Sequence, residues 1–178
     1  MTQAELRALI RTIPDYPKPG IRFRDVTTLL GDPAGFQSCA DALAEATDAT
    51  GSPLIAGLEA RGFIFGAALA ARLGLGFLPI RKAGKLPVPA LRQRYTLEYG
   101  EAELELDPTL VPDGHRVIIV DDLLATGGTA MAGVDLVRRA GGIVEQALFA
   151  IDLPDLGGSD KLAAAGVTPS SVMAFAGD

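Results

Sequence analysis

The sequence predicts an α/β fold: a single domain with a central, mostly parallel sheet flanked by helices and one hairpin excursion. Three observations carry this. Strand-like and helix-like segments alternate from about Pro53 to Ile151, which implies right-handed crossovers between parallel strands. The Val/Ile run over Arg116–Val120 is apolar on both faces, as a strand inside a parallel sheet requires. The chain has 178 residues, 48% hydrophobic and 21% charged, enough for one real core without disulfides or a structural metal.

The elements follow in order. Thr2 and Glu5 form a capping-box pattern ahead of Leu6, Leu9, Ile10 and Ile13, a spacing that predicts a short helix ending at Pro14. Three prolines between Pro14 and Gly20 fix φ and remove donors, so this segment reads as a stiff loop. Ile21–Asp25 alternates like a strand, and residues 1–31 together make a small N-terminal hood. Asp32 and Pro33 read as N-cap and first residue of a helix reaching about Thr47. Pro53–Leu58 is strand-like, Gly62–Leu73 helical and Gly76–Ile80 strand-like. Within residues 88–108, Tyr95–Tyr99 and Ala102–Leu106 alternate as two short strands joined at Gly100-Glu101, a flexible hairpin outside the β-α rhythm. After Arg116–Val120, the spacing of Ala130, Val134 and Val137 predicts a helix to about Ala140, stopped by Gly141 and Gly142. Ile143–Ile151 is a further strand, with Asp152, Asp155 and Asp160 in turns and caps.

Composition excludes several function classes. Sixteen basic against 22 acidic residues give a net charge of −6, unsuited to a broad grip on nucleic acid. Mean hydropathy is +0.28, but no apolar run approaches the ~20 residues of a spanning helix, so no membrane partner is expected. The N-terminus shows no secretory pattern, and a single cysteine, Cys39, excludes an internal disulfide and suits a reducing cytoplasm as a small buried residue. His115, the lone histidine, reads as a loop residue. Gly84-Lys85 is followed by Leu86, so there is no Walker A loop, and Pro79 stands where a dinucleotide fingerprint needs its third glycine.

The most specific feature is the run Val117–Thr129, a buried strand leading through Asp121 and Asp122 into Leu123-Leu124-Ala125-Thr126-Gly127-Gly128-Thr129. Small residues at a helix N-terminus expose free N–H groups, and with the Thr126 and Thr129 hydroxyls they suit a phosphate. Two adjacent carboxylates suit vicinal ribose hydroxyls and a developing positive charge at an anomeric carbon. This run resembles the phosphoribosyl-pyrophosphate motif of the type I phosphoribosyltransferases, and within that family the branch that takes adenine. Further matches extend from Pro14 to near Ile151: Leu58-Glu59-Ala60-Arg61-Gly62-Phe63 is similar to the pyrophosphate loop, Arg81-Lys82-x-Gly84-Lys85-Leu86-Pro87 and Leu97-Glu98-Tyr99-Gly100 to the basic segment and mobile catalytic loop, and Ile21-x-Phe23-Arg24-Asp25 to the base-facing hood.

The resemblance implies adenine and phosphoribosyl pyrophosphate as substrates and AMP and pyrophosphate as products, with Mg²⁺ riding on substrate oxygens near Asp121 and Asp122. It implies 5′-phosphate binding by Ala125, Thr126, Gly127, Gly128 and Thr129, and pyrophosphate binding by Arg61, Arg81, Lys82 and Lys85, although a solvated surface charge is an equal reading for Lys82. Glu98 would take the adenine N9 proton or hold the reactive tautomer, and Tyr99 beside it would help seal the site. Phe23 would stack on the base while groups of Arg22 and Arg24 read its edge; packing of Phe23 in the core and an Arg24–Asp25 pair are the alternative. The family is commonly dimeric, so a homodimer is expected, as is a cytoplasmic setting. Transfer to a 6-oxo purine and a catalytically silent sensor are the rival functions.

Overall fold

Seven strands make one sheet in the order β5-β6-β4-β3-β7-β8-β9, and a separate two-stranded sheet, β1-β2, forms the hood. The computed structural model describes residues 1–97 and 100–176. The strands are β1 (Arg11–Pro14), β2 (Arg22–Asp25), β3 (Leu54–Leu58), β4 (Phe77–Lys82), β5 (Leu91–Leu97), β6 (Gly100–Leu106), β7 (Arg116–Leu124), β8 (Ile143–Asp152) and β9 (Thr168–Ala174). The helices are α1 (Gln3–Ala8), α2 (Thr27–Leu30), α3 (Pro33–Ala46), α4 (Gly62–Leu73), α5 (Gly128–Arg139) and α6 (Gly158–Ala164).

β4, β3, β7, β8 and β9 run parallel, and the hairpin β5-β6 joins antiparallel to β4. One buried cluster unites Leu58, Ile80, Ile119 and Phe149 with α5 and α6; the other unites Ile55, Val120 and Leu148 with α1, α3 and α4. The sheet is therefore covered on both faces, and its central strands read as unbroken apolar runs for that reason. Chain connections diverge at β3 and β7, so a crevice opens at their carboxyl ends, where open α/β sheets place ligands.

The capping box forms as expected: Thr2 accepts from the Glu5 N–H, and the Glu5 carboxylate accepts from the Thr2 N–H at 2.7 Å. The helix is shorter than its apolar spacing implies, because α1 ends at Ala8 and Ile13 lies in β1 opposite Phe23. A cross-strand partner outweighs helical spacing there. Asp32 caps α3 through the Gly35 N–H at 2.7 Å, with Pro33 at the first position. Gly100 and Glu101, expected at the turn, lie within β6, where they pair with Leu97 and Thr96, and both hairpin strands are longer than their alternation suggested. β7 runs on through Asp121 and Asp122 to Leu124 rather than ending before them. α2, α6 and β9 were not anticipated. Cys39 is fully buried, and burial pushes its thiol up to about 12.

Asp25 ties the two strands of the hood to each other and to the start of α2. Its carboxylate accepts from the Thr27 hydroxyl at 2.6 Å and N–H at 2.9 Å, and pairs with Arg11 across the ribbon. These contacts, the Thr27 hydroxyl and Arg11 foremost, hold its pKa at about 2, against an ordinary 3.8. A depressed acid stabilises the native state fully above its unfolded pKa, and that contribution disappears as pH falls through the folded one. Amide protection of β1 and β2 is expected to fall between about pH 4 and about 2. Asp25→Asn should flatten that dependence in hydrogen exchange, and an unchanged pH profile would show that the hood is held otherwise.

Candidate active site

A cavity of ≈ 930 Å³ opens at the carboxyl ends of β3 and β7. The turn after β3 supplies Glu59, Ala60 and Arg61, the end of β7 supplies Asp121 and Asp122, and the following loop supplies Ala125, Thr126, Gly127, Gly128 and Thr129. Phe23 borders it from the hood, Lys82 from β4, and Tyr95 and Glu103 from the hairpin. Glu98 and Tyr99 lie outside the described residues.

Strand alternation sends Asp121 and Asp122 to opposite faces of β7, yet both border the cavity at the point where pairing with β3 ends at Val120 while pairing with β8 continues to Leu124. Asp122 is 4% exposed, and Arg61 Nε lies 2.7 Å from its Oδ2. Asp121 is half-buried and accepts the Asp122 N–H at 2.9 Å. Burial first, and then the negative charge of Asp122, push the Asp121 pKa well above the usual carboxylate value; the Asp122 N–H and Arg61 oppose this without cancelling it. The site thus holds two acids that resist joint ionisation, an arrangement that positive charge or hydroxyl donors from a ligand would relieve.

The phosphate loop turns sharply at Gly127, whose φ of 76° suits glycine, and α5 begins at Gly128. Its first amides therefore border the cavity, with the positive end of the helix dipole behind them. The loop rests on Gly158 at the start of α6: a Cβ there would stand 2.2 Å from the Ala125 carbonyl oxygen and 3.0 Å from the Gly127 nitrogen. Nothing in the sequence near Gly158 signals this contact, which joins segments thirty residues apart.

The basic segment is arranged differently from the expectation that Arg81 and Lys85 face the pyrophosphate. Of Arg81, Lys82 and Lys85, Lys82 alone borders the cavity. Arg81 Nε is 3.4 Å and Lys85 Nζ 2.8 Å from the Glu59 carboxylate, which also accepts the Lys82 N–H at 2.9 Å. Glu59 is nearly buried, and burial alone would raise its pKa; Lys85 and the Lys82 N–H outweigh that and leave it lowered. Buried Glu105 accepts the Lys85 and Leu86 N–H groups at 2.6 and 2.7 Å and so fixes the turn below. Two acids from other strands thus hold this segment, which no local spacing reveals.

On the base side, Phe23 faces the cavity, with Tyr16 edge-on at 5.3 Å and the Arg61 guanidinium 5.4 Å from its ring centre. Arg22 is exposed, and neither it nor Arg24 borders the cavity. Alternation along β2 turns the Arg24 side chain to the opposite face, where it is 8% exposed and donates to Thr12 Oγ1 at 2.7 Å. The acid beside it, Asp25, pairs with Arg11.

A phosphate loop, paired acids at a strand end and a Gly-rich helix start, at the switch point of a parallel sheet, define a phosphoribosyltransferase. Consistent with that, the profile of the phosphoribosyl transferase domain matches residues 25–162. An adenine phosphoribosyltransferase of Erythrobacter litoralis is 58% identical over 177 residues, covering 99% of each chain. The crystal structure of adenine phosphoribosyltransferase from Thermoanaerobacter pseudethanolicus superposes with a TM-score of 0.92 at 48% identity, over 98% of this chain and 100% of that one. The Saccharomyces cerevisiae enzyme, solved with D-2,5-dideoxy-2,5-imino-altritol 1,6-bisphosphate and adenine, gives 0.88 at 38% identity over 96% and 98%. The chain belongs to the adenine phosphoribosyltransferase family.

Proposed function

We propose that this protein transfers the 5-phosphoribosyl group of 5-phosphoribosyl 1-pyrophosphate to adenine, giving AMP and pyrophosphate in purine salvage. The observation that carries the reading is the single cavity in which the Ala125–Thr129 loop, the Asp121–Asp122 pair, Arg61 and the Phe23 ring meet. The ligands named for the yeast relative, adenine and a bisphosphate with a ring nitrogen, match the two halves of that cavity.

The loop binds the 5′-phosphate through α5 amides and the threonine hydroxyls, which anchors the ribose. Asp121 and Asp122 accept its hydroxyls and stabilise positive charge as the bond from C1′ to the pyrophosphate oxygen breaks. Arg61 and Lys82 balance the departing charge, while Arg81 and Lys85 reach the pyrophosphate by exchanging Glu59 for it. Adenine stacks on Phe23, the hood residue that borders the cavity, and N9 forms the new bond to C1′. Glu98 takes the N9 proton or holds the tautomer, with Tyr99 closing over it.

Among the described residues no three acids, histidines or cysteines gather to cage a metal. Two carboxylates beside a diphosphate site do fit Mg²⁺ carried in on substrate oxygens, near Asp121 and Asp122. Bound there, Mg²⁺ would supply charge neutralisation of the diphosphate. We take a homodimer as the assembly and the cytoplasm as the setting. Light scattering reads the mass, and with it the assembly, directly.

The deciding experiment measures pyrophosphate release with Mg²⁺ and phosphoribosyl pyrophosphate, offering adenine, hypoxanthine, guanine and xanthine separately. Release with adenine alone is expected. Release with a 6-oxo purine instead overturns the base reading, and binding without turnover supports the sensor. Glu98→Ala is expected to lower kcat by about 10²- to 10⁴-fold with folding intact. Full turnover in that variant would remove the proton role.

A further inference from the structure

The profile match covers residues 25–162, so the strand carrying Phe23 and the chain after α6 both lie beyond the shared domain. These flanks close on each other. The Phe175 ring, 9% exposed, meets two guanidinium groups, with Arg7 Cζ and Arg24 Cζ each 4.7 Å from its centre. The Phe175 N–H donates to the Asp152 carbonyl at 3.0 Å, which fixes the ring relative to the central sheet. Gln3 Nε2 donates to the Val172 carbonyl at 3.0 Å and pins α1 to β9.

The consequence follows from strand alternation. Phe23 and Arg24 are neighbours on β2, so the face that presents Phe23 to the cavity turns Arg24 toward Phe175. A two-stranded ribbon is marginal by itself and takes its position from what it packs against. Guanidinium–ring contacts of this geometry are directional, favouring one placement of Arg24 and hence of Phe23.

We propose that Phe175, through Arg24 and together with Arg7, is a positioning residue that sets the affinity for adenine by holding the hood strand against the active site. The phosphoribosyl pyrophosphate end of the cavity is built on β7 and α5 and meets the hood where the Arg61 guanidinium lies 5.4 Å from the Phe23 ring centre. The shared domain then supplies the phosphoribosyl chemistry, and the two flanks jointly supply base selection. The inference rests on the adenine reading above.

The test compares steady-state kinetics of Phe175→Leu and Phe175→Tyr with the unmodified protein. Leucine keeps apolar volume but removes the ring face; tyrosine restores it. Expected are an adenine KM about tenfold higher in Phe175→Leu, kcat and the KM for phosphoribosyl pyrophosphate within about twofold, and recovery in Phe175→Tyr. An unchanged adenine KM, or equal rises in both KM values, overturns the proposal. If Phe175→Leu does not fold, Arg24→Gln must show the raised adenine KM, or the proposal falls. Absence of adenine-dependent pyrophosphate release in the unmodified protein would defeat the functional reading itself. Activity without the KM split defeats only the clamp.

Discussion

Gly158→Ala is expected to lower kcat/KM for phosphoribosyl pyrophosphate on the order of 100-fold, although Gly158 does not border the cavity. Its Cβ would stand 2.2 Å from the Ala125 carbonyl oxygen and 2.9 Å from Leu124 Cδ1. Both belong to the segment that leads into the phosphate loop, so neither α6 nor the loop can absorb the clash by a simple rotamer change. Relief to an ordinary contact requires a shift of about 1 Å, and misplacements of that size typically cost about 10² in rate. Adenine stacking should be little affected, because Phe23 reaches the cavity from the hood. Titration with phosphoribosyl pyrophosphate checks this, and unaltered affinity would show that the loop is not seated by α6.

Asp121→Asn is expected to make the protein more stable and less active. With its pKa raised by burial and by Asp122, Asp121 favours the native state when protonated. That contribution is full below the ordinary carboxylate pKa and is lost as pH rises through the elevated native one, so above that range the Asp121 carboxyl opposes folding. Asparagine removes the charge, and its oxygen can still accept the Asp122 N–H. A rise in Tm of a few degrees at pH 7, shrinking toward pH 4, is therefore expected by thermal melts. Turnover should fall by about 10²- to 10³-fold, the usual loss when one stabiliser of transition-state charge is removed. A Tm below that of the unmodified protein at pH 7 would contradict the repulsion between the two acids.

The legible part of the fold is the part with local causes. Asp32-Pro33 announces α3, the Gly62–Leu73 pattern matches α4, and the apolar run from Val117 marks a central strand because burial on both faces leaves no alternation to misread. Weakly amphipathic or short pieces were less legible: α1 lost Ile13 to β1, and Gly100 and Glu101, read as a turn, lie in β6.

For the site, the Asp121–Thr129 run contains its chemistry in order, since phosphate binding by a helix N-terminus needs contiguous residues. The sequence by itself therefore determined the α/β class, the family and the contiguous Asp121–Thr129 run that borders the cavity. Tertiary structure decided what depends on partners far along the chain: Arg81 and Lys85 against Glu59, Gly158 beneath Ala125, and Arg24 turned to Phe175 and away from the cavity. Each is a contact between segments brought together by the crossovers of the sheet, where Coulomb attraction and close packing act on distance in space and leave no mark on spacing in sequence.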